Sequence, residues 1–200
     1  MGKKSIQISE STILKKILHI TTAHHKEDIR IFQKEITSLK KLGFNVSLIA
    51  KGFDDIKVND INIYAFKPPK NRLERFLHTN FLILLRIIRI NPDICHFHDP
   101  DFLLFAILLR ISGKRVIYDV HENVPKQILS KDWIPKILRK PISFFINILE
   151  LLISYIFINN IIAATESIAA RFPKHKTITI NNYPIESEFS STTNDFDARE

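Results

Sequence analysis

Apolar residues along this chain alternate between short compact runs and longer segments with helical spacing. The short runs predict seven strands, at residues 15–22, 45–50, 61–66, 94–98, 115–120, 161–164 and 177–180. Apolar positions three and four residues apart predict helices over 29–42, 72–90, 101–112 and 142–158. Because strands and helices alternate, we expect an α/β fold with a Rossmann-like, doubly wound and mostly parallel sheet.

Polar punctuation sets the expected helix ends and the domain limits. Asp28 is a suitable N-cap for the first helix, and Gly43 suits the left-handed position after its end. Asp99 is likewise expected to cap the helix that follows the fourth predicted strand. The patterned region spans 15–185; residues 1–14 form a polar tail, and 186–200 are Ser/Thr/Asp-rich like a linker.

The stretch 94–101 carries the most concentrated candidate chemistry. His96 and His98 share one strand face by the two-residue period, and His98 lies at the rim, beside a predicted helix N-terminus. His98 is therefore the candidate for catalysis, with a satisfied strand-end histidine as the alternative, while a core role is favoured for deeper His96. A metal site built from His96, His98 and Asp99 needs further convergent ligands, and we expect no metal.

Polar residues also end two other predicted strands. Asp119 and His121 point to one side, as partners of substrate hydroxyl groups do, and Glu122 follows them. Glu166 ends the sixth predicted strand and is a further candidate for substrate contact. Helix capping and solvation are the alternative for each of these residues.

Residues after the first strand complete the candidate site. Arg30 has the paired N–H donors that suit a phosphate, and Asp28 lies two positions before it. The alternatives are a capping role for Asp28 and a helix-surface position for Arg30. His24 and His25 are interpreted as solvated loop residues.

Charge and hydropathy limit the classes of molecule that this chain is expected to bind. The formal net charge of +8 favours acidic partners, but no aromatic or recognition-helix pattern supports nucleic-acid binding. Cys95 is the only cysteine and lies in an apolar strand, which fits a reducing compartment.

The apolar stretch 142–164 approaches the length of a membrane span, but Glu150 lies near its middle. A core helix with one face on anionic lipid is the preferred interpretation, with Trp133 and nearby lysines beside it.

Several motifs together resemble the opening half of family 4 glycosyltransferases. In order, they are Ala23-His24-His25, Asp28-Ile29-Arg30-Ile31-Phe32-Gln33-Lys34-Glu35, Leu42-Gly43-Phe44-Asn45-Val46, His96-Phe97-His98-Asp99-Pro100-Asp101, Tyr118-Asp119-Val120-His121-Glu122, Ala164-Thr165-Glu166-Ser167 and Asn181-Asn182-Tyr183-Pro184. Each motif is weak alone, whereas their order and spacing over residues 15–185 are specific.

The resemblance implies a GT-B enzyme, in which two Rossmann-like domains face each other across a cleft. This chain resembles the N-terminal, acceptor-side half; the pair of donor-site glutamates of the second domain has no counterpart here. The implied reaction is retaining transfer from a nucleotide-sugar to a glycan or lipid-linked acceptor, in which His98 contacts the donor sugar and no cofactor or metal takes part.

The same resemblance implies a place and a partner for the chain. We expect a cell-envelope role in the cytoplasm, on the inner membrane face, and no activity for the chain alone. It then resembles a fragment, a truncated product or one subunit of a split transferase with a donor-domain partner. A non-catalytic, membrane-recruiting subunit is the main alternative, and a basic nucleic-acid-binding domain is a weaker one.

Overall fold

The structure is a computed structural model that describes residues 15–184. The predicted tail at 1–14 and the predicted linker at 186–200 lie outside the described residues.

One eight-stranded sheet forms the centre of the fold. Its strands are β1 (Lys16–His25), β2 (Asn45–Lys51), β3 (Ile56–Val58), β4 (Ile61–Phe66), β5 (Ile94–Phe97), β6 (Arg115–Val120), β7 (Asn160–Ala163) and β8 (Thr177–Thr179). They are ordered β3-β4-β2-β1-β5-β6-β7-β8, and every neighbouring pair is parallel except β3 and β4. The predicted α/β class with a mostly parallel sheet is confirmed.

All seven predicted strands are present, and β3 is an addition. This strand has only three residues, too few to show a hydrophobic period, and it pairs with β4 through a tight hairpin. Asn59 and Asp60 form the turn with φ values of 49° and 61°, the left-handed conformation that two-residue hairpins require. The first strand also runs three residues further than predicted, to His25, so the predicted loop after it is shorter.

The connections between strands are helical. The α-helices are α1 (Thr37–Lys41), α2 (Arg72–Glu74), α3 (Asn80–Ile90), α4 (Leu103–Ile111), α5 (Val124–Leu129), α6 (Lys136–Phe157) and α7 (Glu166–Ala169). A π-helical segment, Ile29–Ile36, runs directly into α1, and a second, Arg75–Thr79, joins α2 to α3. A π-helix has hydrogen bonds between residues five apart. Such helices are rare and occur often at functional sites.

The expected capping residues are confirmed for the first helix, whereas the expected Asp99 cap after the fourth predicted strand is wrong. Asp28 Oδ1 accepts a hydrogen bond from Ile31 N at 3.0 Å, and Gly43 has a φ of +90°. The Asp99 side chain does not cap the turn that leads into α4. One of its carboxylate oxygens instead accepts hydrogen bonds from Thr21 Oγ1 and Thr22 N, both at 2.7 Å, so Asp99 fixes the end of β1.

The two faces of the sheet are covered by different elements. Ile49 packs in a large cluster with residues of α3, α4 and α6, whereas its neighbours Leu48 and Ala50 pack with Ile31 and Ile36 of the first helix. Side chains alternate along a strand, so helices cover both faces, as in a doubly wound sheet. The carboxyl ends of β1, β5, β6, β7 and β8 therefore meet at one edge, where ligands bind in this architecture.

Candidate functional site

A cluster of buried polar side chains lies on the sheet face that the first helix covers. In the parallel register of β1 and β5, His19 lies beside His96. Leu18, Ile20 and Phe97 alternate with the histidines and pack into the core on the opposite face. The sheet therefore presents apolar residues on one face and imidazoles on the other. Below, the polar cluster means His19, Arg30, Glu35, His96, His98, Asp119 and His121.

Three imidazoles of the polar cluster stack closely. The ring centroids of His19 and His96 are 4.4 Å apart, and those of His96 and His98 are 4.7 Å apart. His19 Nδ1 lies 3.0 Å from His98 Nε2, at hydrogen-bond distance. All three residues are at most 4% exposed, so solvent does not hydrate their ring nitrogens.

Arg30 holds the charged end of the cluster. Its Nη2 donates to Asp119 Oδ1 at 2.9 Å and its Nε to Asp119 Oδ2 at 3.3 Å, a two-pronged pair with a fully buried carboxylate. Its Nε also lies 3.1 Å from Glu35 Oε1. Arg30 is 7% exposed, so the helix-surface alternative is wrong. Its paired donors face Asp119, and its contact with a substrate phosphate stays a prediction.

Asp119 links this arginine to two histidines. His121 Nε2 lies 2.9 Å from Asp119 Oδ2, and His98 Nδ1 lies 3.4 Å from the same oxygen. Burial opposes ionisation of Asp119, but the hydrogen bonds from His121 and His98 outweigh it and hold its pKa well below the usual range. Asp119 therefore carries a negative charge inside the protein.

Burial shifts the pKa values of His19, Glu35, His96 and His98 toward their neutral forms. It lowers the pKa of His96 to about 3, assisted by the neighbouring His98, and also lowers the pKa values of His19 and His98. Burial, followed by the charge of Asp119, raises the pKa of Glu35 to about 10. Near neutral pH, the neutral imidazoles of His19, His96 and His98 therefore lie beside one buried ion pair, Arg30 and Asp119.

Two clefts open at the carboxyl edge above the cluster. The first, about 870 Å³, is lined on β1 and the first helix by His24, Asp28 and Arg30, and elsewhere by His121 and Asn181. The second, about 780 Å³, has cationic and apolar walls. Its residues are Ala23, His24, Arg72, Arg75, His98, Asp99, Pro100, Asp101, Tyr118, Val120, His121, Glu122, Val124, Gln127, Ile128, Lys131, Trp133, Ile134, Ile142 and Ile146.

The predicted site residues divide between cluster and clefts. His98 borders the second cleft, but its side chain has 0% exposure and both ring nitrogens face cluster groups. His121, with 16% of its side chain exposed, lines both clefts. Glu122 lines the second cleft and accepts from Gln127 Nε2 at 2.5 Å. Glu166 is exposed and lines neither cleft; Thr165 caps α7 there.

Three residues of the site were absent from the sequence-based candidates. His24 was interpreted as a solvated loop residue, but it lies in β1, lines both clefts and places Nδ1 2.9 Å from Asp28 Oδ2. His19 and Glu35 belong to the cluster, where Glu35 Oε2 lies 3.9 Å from both His19 Nδ1 and His98 Nε2. The alternation of His19 with apolar neighbours in a predicted strand was the sequence signal that could have identified His19. For Glu35, the signals were its helical position and its place in the Asp28–Glu35 motif.

Similarity to solved structures defines the fold family. Its fold matches a sucrose-phosphate synthase chain from Thermosynechococcus elongatus with a TM-score of 0.58 and 10% identity, covering 91% of this chain and 97% of that one. It also matches UDP-N-acetylglucosamine 2-epimerase from Rickettsia bellii (TM-score 0.56, 11% identity, 93% and 48% covered). Anabaena Alr3699/HepE in complex with UDP-glucose follows at TM-score 0.55 and 13% identity, with 91% and 50% covered.

These likenesses establish the fold as one half of a GT-B architecture, because the chain spans about half the length of the last two proteins. The sequence profile of Glycosyltransferase Family 4 matches residues 30–180. The chain therefore belongs to Glycosyltransferase Family 4, as the sequence motifs predicted. No curated protein sequence matches the chain.

Proposed function

We propose that this chain is the acceptor-side half of a retaining transferase, which moves a sugar from a nucleotide-sugar to a glycan or lipid-linked acceptor. The observation that carries the proposal is the polar edge of the sheet: His24 and His121 stand between two clefts at the carboxyl ends of parallel strands, in a fold of the transferase family. Retention and a cell-envelope role rest on the family resemblance.

A second domain is needed for this reaction. The described residues correspond to one GT-B half, and a donor-binding half, in the same polypeptide or in a partner chain, closes the cleft from the other side. Preorganised N–H donors for the leaving diphosphate come mostly from that half in this scheme. The chain alone is therefore expected to transfer no sugar, and no metal ion takes part in the transfer step.

Within the site, His121 is the better candidate than His98 for contact with substrate. His121 reaches both clefts, and Asp119 orients its ring through the 2.9 Å contact. His98 lies behind it with its side chain buried and acts as a positioning residue. Asp28 and Glu122 line the clefts as further substrate contacts, whereas Glu166 has no such position.

The second cleft suits an acceptor with an anionic head and an apolar body. Arg72 and Lys131 supply positive charge on its wall, whereas Arg75 is paired with Asp101 at 2.7 Å. The guanidinium of Arg72 lies 4.3 Å from the ring centroid of Trp133, which is 63% exposed. The apolar part of the wall consists of Ile128, Ile134, Ile142 and Ile146. Phosphate and lipid chain are the two groups that such a wall binds, as in a lipid-linked sugar.

The outer face of α6 suits the membrane that holds such an acceptor. This helix is long and apolar enough to cross a membrane by length and composition, although core helices also pass that test. Glu150, Ile153 and Ser154 on its inner face are buried against the domain, which favours contact along the surface over a span. Its exposed apolar residues are Ile137, Leu138, Phe144, Phe145, Ile148, Leu152, Tyr155 and Ile156. Lys136 and Lys140 near its start add attraction to anionic lipid.

Vesicle binding tests the membrane part. The chain should co-sediment with vesicles containing phosphatidylglycerol, and the double variant F144S/F145S should lose most of this binding. Phe53, 78% exposed and not on α6, provides the matched control, and Phe53→Ser should bind like the unmodified chain. Equal binding by both variants would exclude the α6 face as the membrane contact and would leave the transferase assignment untouched.

Reconstitution tests the catalytic part. The chain is combined with a family 4 donor domain encoded beside it or in frame with it, and sugar transfer from radiolabelled nucleotide-sugars to lipid extracts is measured. We expect transfer only with both halves, and a loss in kcat for His121→Gln. Efficient transfer by the chain alone would refute the half-enzyme proposal.

A non-catalytic recruiting subunit is the second candidate. The apolar α6 face favours it, because such a face suits a domain that binds a membrane. The His98 side chain is buried, as expected if this histidine has no catalytic contact with substrate. In that case His121→Gln would leave the reconstituted activity unchanged, whereas F144S/F145S would lower it on vesicles only. Binding to nucleic acid is not expected for either candidate.

A further inference from the structure

The polar cluster has the arrangement of a closed metal site. His19, Glu35, His96 and His98 each offer a ligand atom, and these four atoms lie within 4.8 Å of one another. We propose that these four residues bind one divalent transition-metal ion, with zinc as the best match. The proposed ion takes no part in the transfer chemistry; among its four ligands, His98 also borders the second cleft and contacts Asp119.

The spacing of three ligand atoms supports the proposal. His19 Nδ1 and His98 Nε2 are 3.0 Å apart, and Glu35 Oε2 is 3.9 Å from each of them. The point equidistant from the corners of a triangle with sides of 3.0, 3.9 and 3.9 Å lies about 2.1 Å from each corner. Zinc binds imidazole nitrogen at about 2.0–2.1 Å and carboxylate oxygen at about 2.0–2.2 Å, so the metal–ligand distances match. Tetrahedral angles require shifts of about 0.5 Å, with Glu35 Oε2 moving inward and the two nitrogens moving apart.

Unused polar atoms supply the fourth ligand and a reason for binding. Within residues 15–184, His96 Nε2, His19 Nε2 and Glu35 Oε2 are buried without a hydrogen-bond partner. An unsatisfied buried polar atom is costly, and binding of an ion is one way to satisfy it. His96 offers a ring nitrogen within 4.8 Å of the other three ligand atoms, close enough to serve as the fourth ligand after a small side-chain adjustment.

The groups behind the ligands also match a metal centre. A metal-bound histidine usually gives its second ring nitrogen to a carboxylate, which fixes the ring. His98 Nδ1 faces Asp119 Oδ2 at 3.4 Å, and Arg30 holds Asp119 in turn. Asp99, which the sequence placed among possible ligands, accepts hydrogen bonds from Thr21 and Thr22 instead and takes no part.

The ligand types select the metal and its role. Three imidazoles and one carboxylate in a site without open positions fit four-coordinate zinc, and oxygen-loving ions such as Mg²⁺ and Ca²⁺ prefer other ligands. A site with four protein ligands is structural. Zinc here ties β1, β5 and the π-helical Ile29–Ile36 together directly beneath the clefts.

Zinc titration of the chelator-treated 200-residue chain tests the proposal. We expect about one tightly bound zinc ion per chain, a rise in Tm on zinc addition, and a tetrahedral Co²⁺ absorption spectrum on substitution. His96→Gln and Glu35→Gln should weaken binding by more than the about 10–100-fold that loss of an outer partner costs. His78→Gln, at an exposed position outside the cluster, should bind like the unmodified chain.

Two further measurements keep the proposal refutable if a variant fails to fold. X-ray absorption of the zinc-loaded, unmodified chain should show an imidazole-rich four-ligand shell. The double variant H24Q/H25Q, which removes the adjacent histidines at the end of β1, should retain the ion. Absence of stoichiometric binding, a shell of water and carboxylate oxygens, or loss of the ion in H24Q/H25Q alone would overturn the proposal.

Discussion

Replacing Arg30 with Met should destabilise this domain more than most single substitutions. The change removes the guanidinium and keeps an unbranched side chain of similar length, so that the lost interaction is mainly electrostatic. Asp119 then stays in the interior without its cation, because hydrogen bonds from His121 and His98 keep its pKa low against the opposing effect of burial.

The magnitude follows from the burial of the pair. Asp119 is 0% exposed and faces Arg30 at 2.9 and 3.3 Å, so that water does not replace the lost contacts. Glu35 adds no second negative charge beside Asp119, since burial and the charge of Asp119 raise its pKa to about 10. Removing one partner of a buried pair costs about 3–5 kcal/mol. That is a large share of the about 5–15 kcal/mol that stabilises a typical domain.

Urea unfolding at neutral pH, in the presence of chelator, measures the change in the free energy of unfolding. Arg110→Met is the matched control, because Arg110 is exposed on α4, and its effect should stay within about 0.5 kcal/mol. The double variant R30M/D119N should be more stable than the sum of the single changes predicts, by about 0.5–3 kcal/mol. A loss below about 1 kcal/mol for Arg30→Met, or strict additivity, would refute the assignment of a buried ion pair.

Three further substitutions test other parts of the structure. Burial, followed by the charge of Glu150, raises the pKa of Tyr118 above its ordinary value of 10.0, so ionisation of the unfolded phenol alone should lower stability above about pH 10. Tyr118→Phe should reduce the alkaline slope in urea unfolding, to which the buried Cys95 thiol, with its pKa raised to about 12, also contributes; an unchanged slope would contradict this expectation. Gly113→Ala should cost about 1 kcal/mol from its φ of +82°, since no atom lies within 4 Å of the added methyl group; a neutral result in thermal unfolding would argue against that conformation. Asp99→Ala should cost about 2–3 kcal/mol and increase amide hydrogen exchange at Thr22, and undisturbed exchange there would contradict the proposed anchoring of β1.

The strands and their polar ends were predictable because two short-range rules act on them. Alternation assigns His96 and His98 to one face, and parallel pairing brings the ends of β5 and β6 to one edge. The structure accordingly places Asp119, His121 and His98 together. No knowledge of the pairing partners is needed for this much, because every crossover in such a sheet directs the carboxyl ends the same way.

The composition of the cluster was less predictable, because it depends on which strands are neighbours. His19 and His96 meet only since β1 lies next to β5, a pairing across 77 residues. Glu35 reaches them from a π-helical segment, whereas a regular 3.6-residue period was the expectation. Arg30 has the sequence context of a surface residue, and its burial follows from the position of Asp119 at the end of β6.

Stability of the fold does not explain why the sheet buries so many polar side chains on one face. Leu18, Ile20 and Phe97 give β1 and β5 an apolar face against the helices. Parallel strands buried between helices usually carry apolar residues on both faces. On the other face the same strands bury imidazoles, some with unpaired nitrogens, at a cost that apolar residues would avoid. Packing therefore gives no reason for these residues. Two demands do: orientation of His121 at the clefts, which needs Asp119 and the charges behind it, and a metal ion, which needs His19, Glu35, His96 and His98. His98 links the two demands, because it is a proposed ligand and also contacts Asp119, whereas His121 lies outside the ligand set. Zinc removal should therefore lower stability more than it alters the clefts.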